Sequence, residues 1–396
     1  MSGDRAYLDW NASAPLRPGA RTAMLAAMEL VGNPSSVHGE GRHARGILEE
    51  ARADVARLVG ARPSEVIFTS GGTEANNIAV AAGWRRIVTT AVEHESVLAA
   101  ARRHARDVSV VPVDRNGIVG REALASALSD VEDVSSTLLS VQMANNETGV
   151  IQPVDEITSV AKACGISVHS DAVQAAGRLP VDFGSLGLDM LSISAHKLGG
   201  PKGVGALVVR DGIGVRSLVA GGGQEGRRRA GTENLVGIAG FGGAARAARD
   251  EHRLCGRLSS LRKAIEEVIL STVPGSMIVG GDVPRLPNTV CFTWPGKAAD
   301  TLLIRLDLGG VAVSSGAACS SGKVGPSHVL AAMGLGVAES RSAIRVSFGA
   351  TTAKHEIERF LSVLCTITGA TARRPFDLID RPDAFGDRLE TTMGVA

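Results

Sequence analysis

Leu188-Asp189-Met190-Leu191-Ser192-Ile193-Ser194-Ala195-His196-Lys197-Leu198-Gly199-Gly200-Pro201 is the stretch on which the fold reading turns. Its first half is an apolar and β-branched run, the pattern of a strand buried on both faces. The run closes on Ser194, His196 and Lys197, which sets a lysine amine at a strand end beside a hydroxyl and an imidazole. Gly199-Gly200-Pro201-Lys202-Gly203 follows, a turn whose glycines let backbone approach a ligand closely. A lysine at the mouth of an α/β sheet, flanked by hydrogen-bond donors, suits a Schiff base to a phosphate-bearing aldehyde cofactor.

Outward from this stretch, the chain between Pro63 and Arg210 alternates short apolar runs with helical patterns. Strands are predicted at Val66–Phe68, Arg86–Thr89, Val108–Val111, Thr137–Val141, Ile166–His169, Met190–Ile193 and Gly205–Val209. Amphipathic segments such as Val97–His104 and Glu122–Leu128 lie between them. This alternation predicts a mostly parallel, three-layer α/β sheet of seven strands. Ligands of such sheets bind at the carboxyl ends of the strands, where Thr69, Asn145, Asp171 and Ser194 fall. Gly41–Leu58 reads as one long helix with Ile47, Leu48, Ala51, Val55 and Leu58 on one face. A single helix from about Ala244 to Ile269 is expected to lead into a smaller α+β domain, with strands at Thr289–Phe292 and Ile344–Ser347. The expected division is a large domain over 16–250, a small one from 1–15 and 251–375, and a polar tail over 376–396.

With 396 residues the chain exceeds what one core usually organises, which agrees with two domains. A net charge of +1, from 42 basic and 41 acidic residues, gives no reason to expect nucleic acid or an anionic membrane as partner. Aromatics at 3% weaken any base-stacking function further. No apolar run approaches the ~18 residues that span a bilayer. The start, Met1-Ser2-Gly3-Asp4-Arg5, lacks the basic and apolar regions of a secretory signal, so a cytoplasmic protein is expected. Cys164, Cys255, Cys291, Cys319 and Cys365 show no Cys-x-x-Cys pairing, which argues against a disulfide scaffold and against a resident metal site.

Several further motifs fall at strand ends. Thr69-Ser70-Gly71-Gly72-Thr73-Glu74 opens a helix, so its N–H groups and hydroxyls suit a phosphate; read alone it is equally an ordinary helix cap. His94, in Val92-Glu93-His94-Glu95-Ser96, lies near the end of another strand; read alone it is a structural histidine rather than a catalytic one. Asp171, in His169-Ser170-Asp171-Ala172-Val173-Gln174, could cap the next helix. Taken together, an aspartate that precedes a lysine by 26 residues resembles the fold-type I enzymes that use pyridoxal 5′-phosphate. A carboxylate on the pyridine nitrogen keeps that ring protonated, and the protonated ring draws electrons from a bound amino acid.

The resemblance narrows with Val313-Ser314-Ser315-Gly316-Ala317-Ala318-Cys319-Ser320-Ser321-Gly322, a small and polar loop presenting one cysteine, and Pro326-Ser327-His328-Val329-Leu330 beyond it. With Leu8-Asp9-Trp10-Asn11-Ala12, Asn33-Pro34-Ser35-Ser36-Val37-His38 and Asn145-Asn146-Glu147-Thr148-Gly149, the chain resembles cysteine desulfurases of the NifS/IscS type from about Tyr7 to Phe360. The loop resembles the first class of that family; the Arg-x-Gly-His-His-Cys pattern of the second class is absent. A loop of this composition suits an exposed nucleophile better than a core. The other four cysteines sit in apolar or helical patterns and read as structural.

The resemblance implies a cofactor set of Gly72, Thr73, His94, Asn146, Asp171, Gln174, Ser194, His196, Lys197 and Thr232. Lys197 would carry pyridoxal phosphate and move the substrate's α-proton, Asp171 would pair with the ring nitrogen, and Gln174 would bond the ring hydroxyl oxygen. His94 would stack on the ring. Thr73, Ser194 and His196 would hold the phosphate, joined by Thr232 from a partner subunit, which implies a homodimer. Asn33, Asn146 and Arg345 would bind the substrate, Arg345 through its carboxylate. Cys319 would take sulfur from L-cysteine as a persulfide, release L-alanine, and pass the sulfur to an acceptor or iron–sulfur scaffold protein, for general cluster assembly, transfer-RNA thiolation or nitrogenase supply. Any contact of Cys319 with a nascent cluster would be transient. A small-substrate aminotransferase and a selenocysteine lyase are the alternatives within this fold, and a non-catalytic scaffold the alternative outside catalysis. Two departures stand out: Ala350 replaces an arginine found in many relatives, and the tail after Arg373 matches no known docking terminus.

Overall fold

The computed structural model describes residues 5–249, 251–316 and 327–369. The first strand, β1 (Ala6–Tyr7), is followed by β2 (Val66–Thr69), β3 (Arg86–Thr90), β4 (Asp107–Val111), β5 (Thr137–Ser140), β6 (Ser167–Asp171), β7 (Met190–Ser194) and β8 (Gly205–Val209). Strands β2 to β8 form one seven-stranded sheet in the order β2-β8-β7-β6-β5-β3-β4. Only β8 runs against its neighbours; β4, β3, β5, β6 and β7 pair in parallel. All seven predicted strands are present, with ends shifted by a residue or two.

Period-two alternation sorts these strands onto two faces. Ile67, Ile87, Leu138, Met190 and Leu207 join one apolar cluster, while Val66, Phe68, Val88, Leu139, Leu191, Ile193 and Ala206 join the other. Each face needs a helical cover, because fully burying one such side chain contributes about 1.5–3 kcal/mol. Helices α1 (Pro18–Met28), α2 (Gly39–Leu58) and the helix Leu235–Arg249 pack together on the second of these faces, with Leu48, Val55, Ile238 and Phe241 in its cluster. Helix α3 (Gly72–Val80) and α4 (Glu95–His104) cover the first.

Strands β9 (Met277–Ile278), β10 (Thr289–Thr293), β12 (Ser314–Ser315) and β13 (Ala343–Ser347) make a second, antiparallel sheet in the order β12-β13-β10-β9, and β11 (Val311–Ala312) pairs in parallel with β1. Its core joins Ala6, Leu8, Val290, Phe292, Ile344 and Val346 to Leu302, Leu306, Phe360 and Leu364 from the helices Ala299–Leu308 and Lys354–Thr368. The predicted helix over 244–269 is two helices, Leu235–Arg249 and Cys255–Thr272, with a 3₁₀ turn at Glu251–Leu254. The run at 249–253 is charged and offers no apolar stripe to carry a straight helix across, and the turn delivers Glu251 to the guanidinium of Arg17. Among the described residues, no helix is long and apolar enough to cross a membrane.

Candidate active site

Where the carboxyl ends of β2, β6 and β7 approach β13, the chain encloses a cavity of about 270 Å³. Gly72, Thr73, His94, Asn146, Asp171, Gln174, Ser194, His196, Lys197 and Arg345 all line it, drawn from six separate stretches of sequence. Asn33 and Thr232 do not: both are exposed, and Asn33 Oδ1 accepts from the N–H of Ser35 at 2.9 Å. Cys319 lies outside the described residues, as does the tail beyond 369.

At one end of the cavity, α3 begins directly after β2. Its first-turn N–H groups have no intrahelical partner and carry the positive end of the helix dipole. Gly72 has to be glycine: a Cβ there would fall 2.6 Å from Cγ2 of Val173. The hydroxyls of Thr73 and Ser194 and the ring of His196 line this end. Burial, reinforced by Lys197, Lys202 and Arg178, pushes the His196 imidazole down to about 4, so it is neutral at physiological pH.

At the other end stands Asp171, the last residue of β6. Its Oδ1 accepts from the N–H of Val173 at 2.9 Å and its Oδ2 from Asn76 Nδ2 at 2.7 Å, which leaves acceptor capacity on the carboxylate. Asn76 Nδ2 also donates to Ser96 Oγ at 2.9 Å, and Ser96 Oγ lies 2.7 Å from His94 Nδ1. His94 caps α4, and its Nδ1 accepts the N–H of Ser96 at 3.1 Å. An accepting Nδ1 puts the proton of the neutral ring on Nε2. Burial, partly offset by Asp171, holds this imidazole below its ordinary range, so the neutral form prevails.

Lys197 lines the same cavity, its Nζ donating to the carbonyl oxygens of Asn11 at 2.5 Å and Ala12 at 3.0 Å. Arg345 enters from the second sheet. Ile344 and Val346 point into that sheet's core, so strand alternation turns Arg345 towards the cavity. Its Nη1 donates to the Asn146 carbonyl at 3.0 Å and its Nη2 to Asp9 Oδ1 at 2.7 Å, while Nε is buried without a hydrogen-bond partner among the described residues.

The residues that sequence reasoning missed here are Asn11, Asn76, Ser96 and Gln142. Asn76 follows Gly72 and Thr73 by one helical turn, a spacing that could have exposed it. Asn145, expected at a strand end facing a ligand, instead folds its own turn: its Oδ1 accepts from the N–H groups of Glu147 and Thr148.

The fold and site define an α/β enzyme with a lysine-centred cavity between two sheets. The chain belongs to the aminotransferase class-V family, whose model matches residues 6–360. It is 42% identical to an IscS-like cysteine desulfurase of Mycobacterium tuberculosis over 93% of this chain and 96% of that protein. It is 43% identical to a cysteine desulfurase of Cereibacter sphaeroides, over 91% of this chain and 95% of the relative. Among solved structures, a NifS-like protein from Rickettsia africae superposes with a TM-score of 0.86 at 36% identity, covering 92% of this chain and all of the other. A protein named SspA, solved in complex with cysteine, superposes with a TM-score of 0.75 at 31% identity, over 87% of this chain and 98% of that one.

Proposed function

We propose that this protein is a pyridoxal phosphate-dependent cysteine desulfurase that converts L-cysteine to L-alanine and a persulfide on Cys319. The observation that carries the reading is that Lys197 shares one cavity with the Asp171 carboxylate, the start of α3 and Arg345. That donor set fits the cofactor: the α3 N-terminus with Thr73, Ser194 and His196 matches a phosphate, and the open acceptor capacity of Asp171 matches a protonated pyridine nitrogen. When bound, pyridoxal phosphate supplies an electron sink for the pair released at the substrate carbon.

In this reading Lys197 Nζ anchors the cofactor and moves the proton at the substrate's α-carbon. Gln174 would donate from Nε2 to the cofactor's ring oxygen, and His94, neutral with its proton on Nε2, would cover the ring and exchange protons with the reacting sulfur. Arg345 takes the substrate carboxylate with Asn146 beside it. The Cys319 thiolate attacks the sulfur of L-cysteine, the S–S bond of the persulfide forms, and the substrate's carbon–sulfur bond breaks. The pair left on carbon is finally protonated, so one thiol and one cysteine give one persulfide and one alanine. The persulfide sulfur passes to an acceptor protein for iron–sulfur cluster assembly.

The reading also includes a cytoplasmic homodimer. Exposed Leu25, Met28, Val31, Val37, Leu218 and Val219 offer apolar surface for a second copy, and exposed Thr232 is available to a neighbouring subunit's phosphate end. The deciding experiment supplies purified protein with L-cysteine and a thiol reductant, and quantifies alanine and sulfide. Equal amounts of both are expected from the natural sequence and neither from Cys319→Ser; full turnover by Cys319→Ser would overturn the assignment.

A further inference from the structure

Arg178 belongs to none of the roles above, yet it joins three residues that surround the lysine. Nη1 donates to Asn11 Oδ1 at 2.8 Å and to Gln174 Oε1, and Nη2 donates to the carbonyls of Lys197 at 3.2 Å and Trp10 at 3.3 Å. Each of these acceptors is neutral. A guanidinium on a partly buried site normally sits against a carboxylate, and this one has no carboxylate among its hydrogen-bond partners in the described residues. Burial and the nearby Arg345 both push its proton affinity down. Lowered only to about 9, Arg178 still carries its positive charge at neutral pH, and that charge is also felt by His196.

The hydrogen bonds have a directional consequence. Guanidinium nitrogens only donate, so the Gln174 group facing Arg178 is its carbonyl oxygen. The Gln174 amide nitrogen is thereby turned the other way, where it donates to the Asn11 carbonyl at 3.1 Å and lines the cavity. Asn11 is set in the same manner: its Oδ1 faces Arg178, while its Nδ2 donates to the Asn146 carbonyl at 3.2 Å and to Thr289 Oγ1 at 3.0 Å. The Asn11 carbonyl in turn receives Lys197 Nζ.

We infer that Arg178 is a positioning residue that also acts through its charge. It fixes Gln174 as a donor towards the cofactor's ring oxygen, braces Asn11 against Lys197, and lowers the proton affinity of the Lys197 nitrogen. A fixed positive charge close to a titrating amine disfavours its charged form. The same charge favours a deprotonated ring oxygen opposite the Gln174 amide. The inference rests on the proposed use of pyridoxal phosphate at Lys197.

The test is a pH titration of the visible absorbance of the cofactor-loaded protein, read without substrate. In Arg178→Gln the spectral midpoint should rise by about one pH unit or more relative to the natural sequence. Arg178→Lys keeps the charge but loses the planar fork, so its midpoint should stay near that of the natural protein while kcat falls through a misdirected Gln174. A second measurement needs no cofactor: in the stripped protein, the pH dependence of Lys197 modification by an amine-selective reagent, located by mass spectrometry, should shift in the same direction. Unchanged midpoints in a folded Arg178→Gln would overturn the inference, as would a Lys variant indistinguishable from Gln. Failure of both variants to fold would overturn it too, because the residue would then be structural. A natural protein with no lysine-bound chromophore would instead sink the cofactor reading itself.

Discussion

Arg345 donates to Asp9 Oδ1 at 2.7 Å, so the guanidinium assigned to the substrate already holds a carboxylate of the chain. The pair is unequal in exposure: the arginine side chain is 2% exposed and the aspartate 18%. Asp9 therefore keeps a buried charge compensated before substrate arrives, and an incoming carboxylate would compete with Asp9 for the guanidinium. Replacing Arg345 by Lys removes the fork that matches a carboxylate, and KM for L-cysteine should rise about tenfold or more while the cofactor absorbance persists. Replacing Asp9 by Asn strands the guanidinium and should lower the melting temperature. An unchanged KM in Arg345→Lys would remove Arg345 from substrate binding.

The carboxylate of Asp171 is held by one backbone N–H and by Asn76, whose own Oδ1 is buried without a partner among the described residues. In Asp171→Asn the Asn76 amide can turn over and offer that oxygen to the new NH₂ group, so the fold should survive. On the proposed reading, the negative charge that would face the pyridine nitrogen is lost. Alanine release should fall by a factor on the order of 10²–10³, the usual loss when one electrostatic stabiliser is removed. A melting temperature near that of the natural sequence would show that the loss is chemical.

How much of this was legible beforehand depends on the range of the interaction. Strands announced themselves because both faces of the large sheet are buried, and Val, Ile and Leu runs follow from that alone. Lys197, Asp171 and Ser194 were readable because strand ends in such a sheet point at ligands. The two-residue strands β1, β9, β11 and β12 carry too few residues for any periodicity to register, and their pairing is decided by partners far along the chain. The link between Asn11 and Arg178 was invisible for the same reason: it joins residues 167 apart in the chain, and neither neighbouring sequence encodes it. Asn33 and Thr232 illustrate the converse, since motif resemblance singled them out but a single chain keeps both outside the cavity.

Gly349, in Ser347-Phe348-Gly349, is a packing requirement of the site. A Cβ at this position would lie 2.1 Å from Cζ3 of the Trp10 ring, far inside contact distance. Trp10 is buried, adjoins Asn11, and its carbonyl accepts from Arg178. Gly349→Ala must therefore push the indole and the backbone that carries Asn11. A loss of about 1–3 kcal/mol is expected by chemical denaturation, together with weaker cofactor retention on dialysis. A variant as stable as the natural sequence would show that the Trp10 wall yields freely.

Glu93, next to His94, is wholly buried. Its Oε1 accepts from Thr90 Oγ1 at 2.6 Å and from the N–H of Gln142 at 2.9 Å, whereas Oε2 has no partner among the described residues. Burial is the main cause that pushes this carboxyl up to about 8 from an ordinary 4.5, and the charge of Asp171 adds to it. Between those two values the folded protein holds a proton that the unfolded chain releases. The stabilisation from that proton is complete below the unfolded value and is lost as pH rises through about 8. Glu93→Gln mimics the protonated acid at every pH and keeps an oxygen for Thr90 and Gln142. The variant should therefore gain on the natural sequence as pH rises, by about 2 °C or more in melting temperature between pH 5 and pH 9. If the gap between the two proteins stays constant over that range, Glu93 is ionised in the fold and its neighbours must reorganise to solvate it.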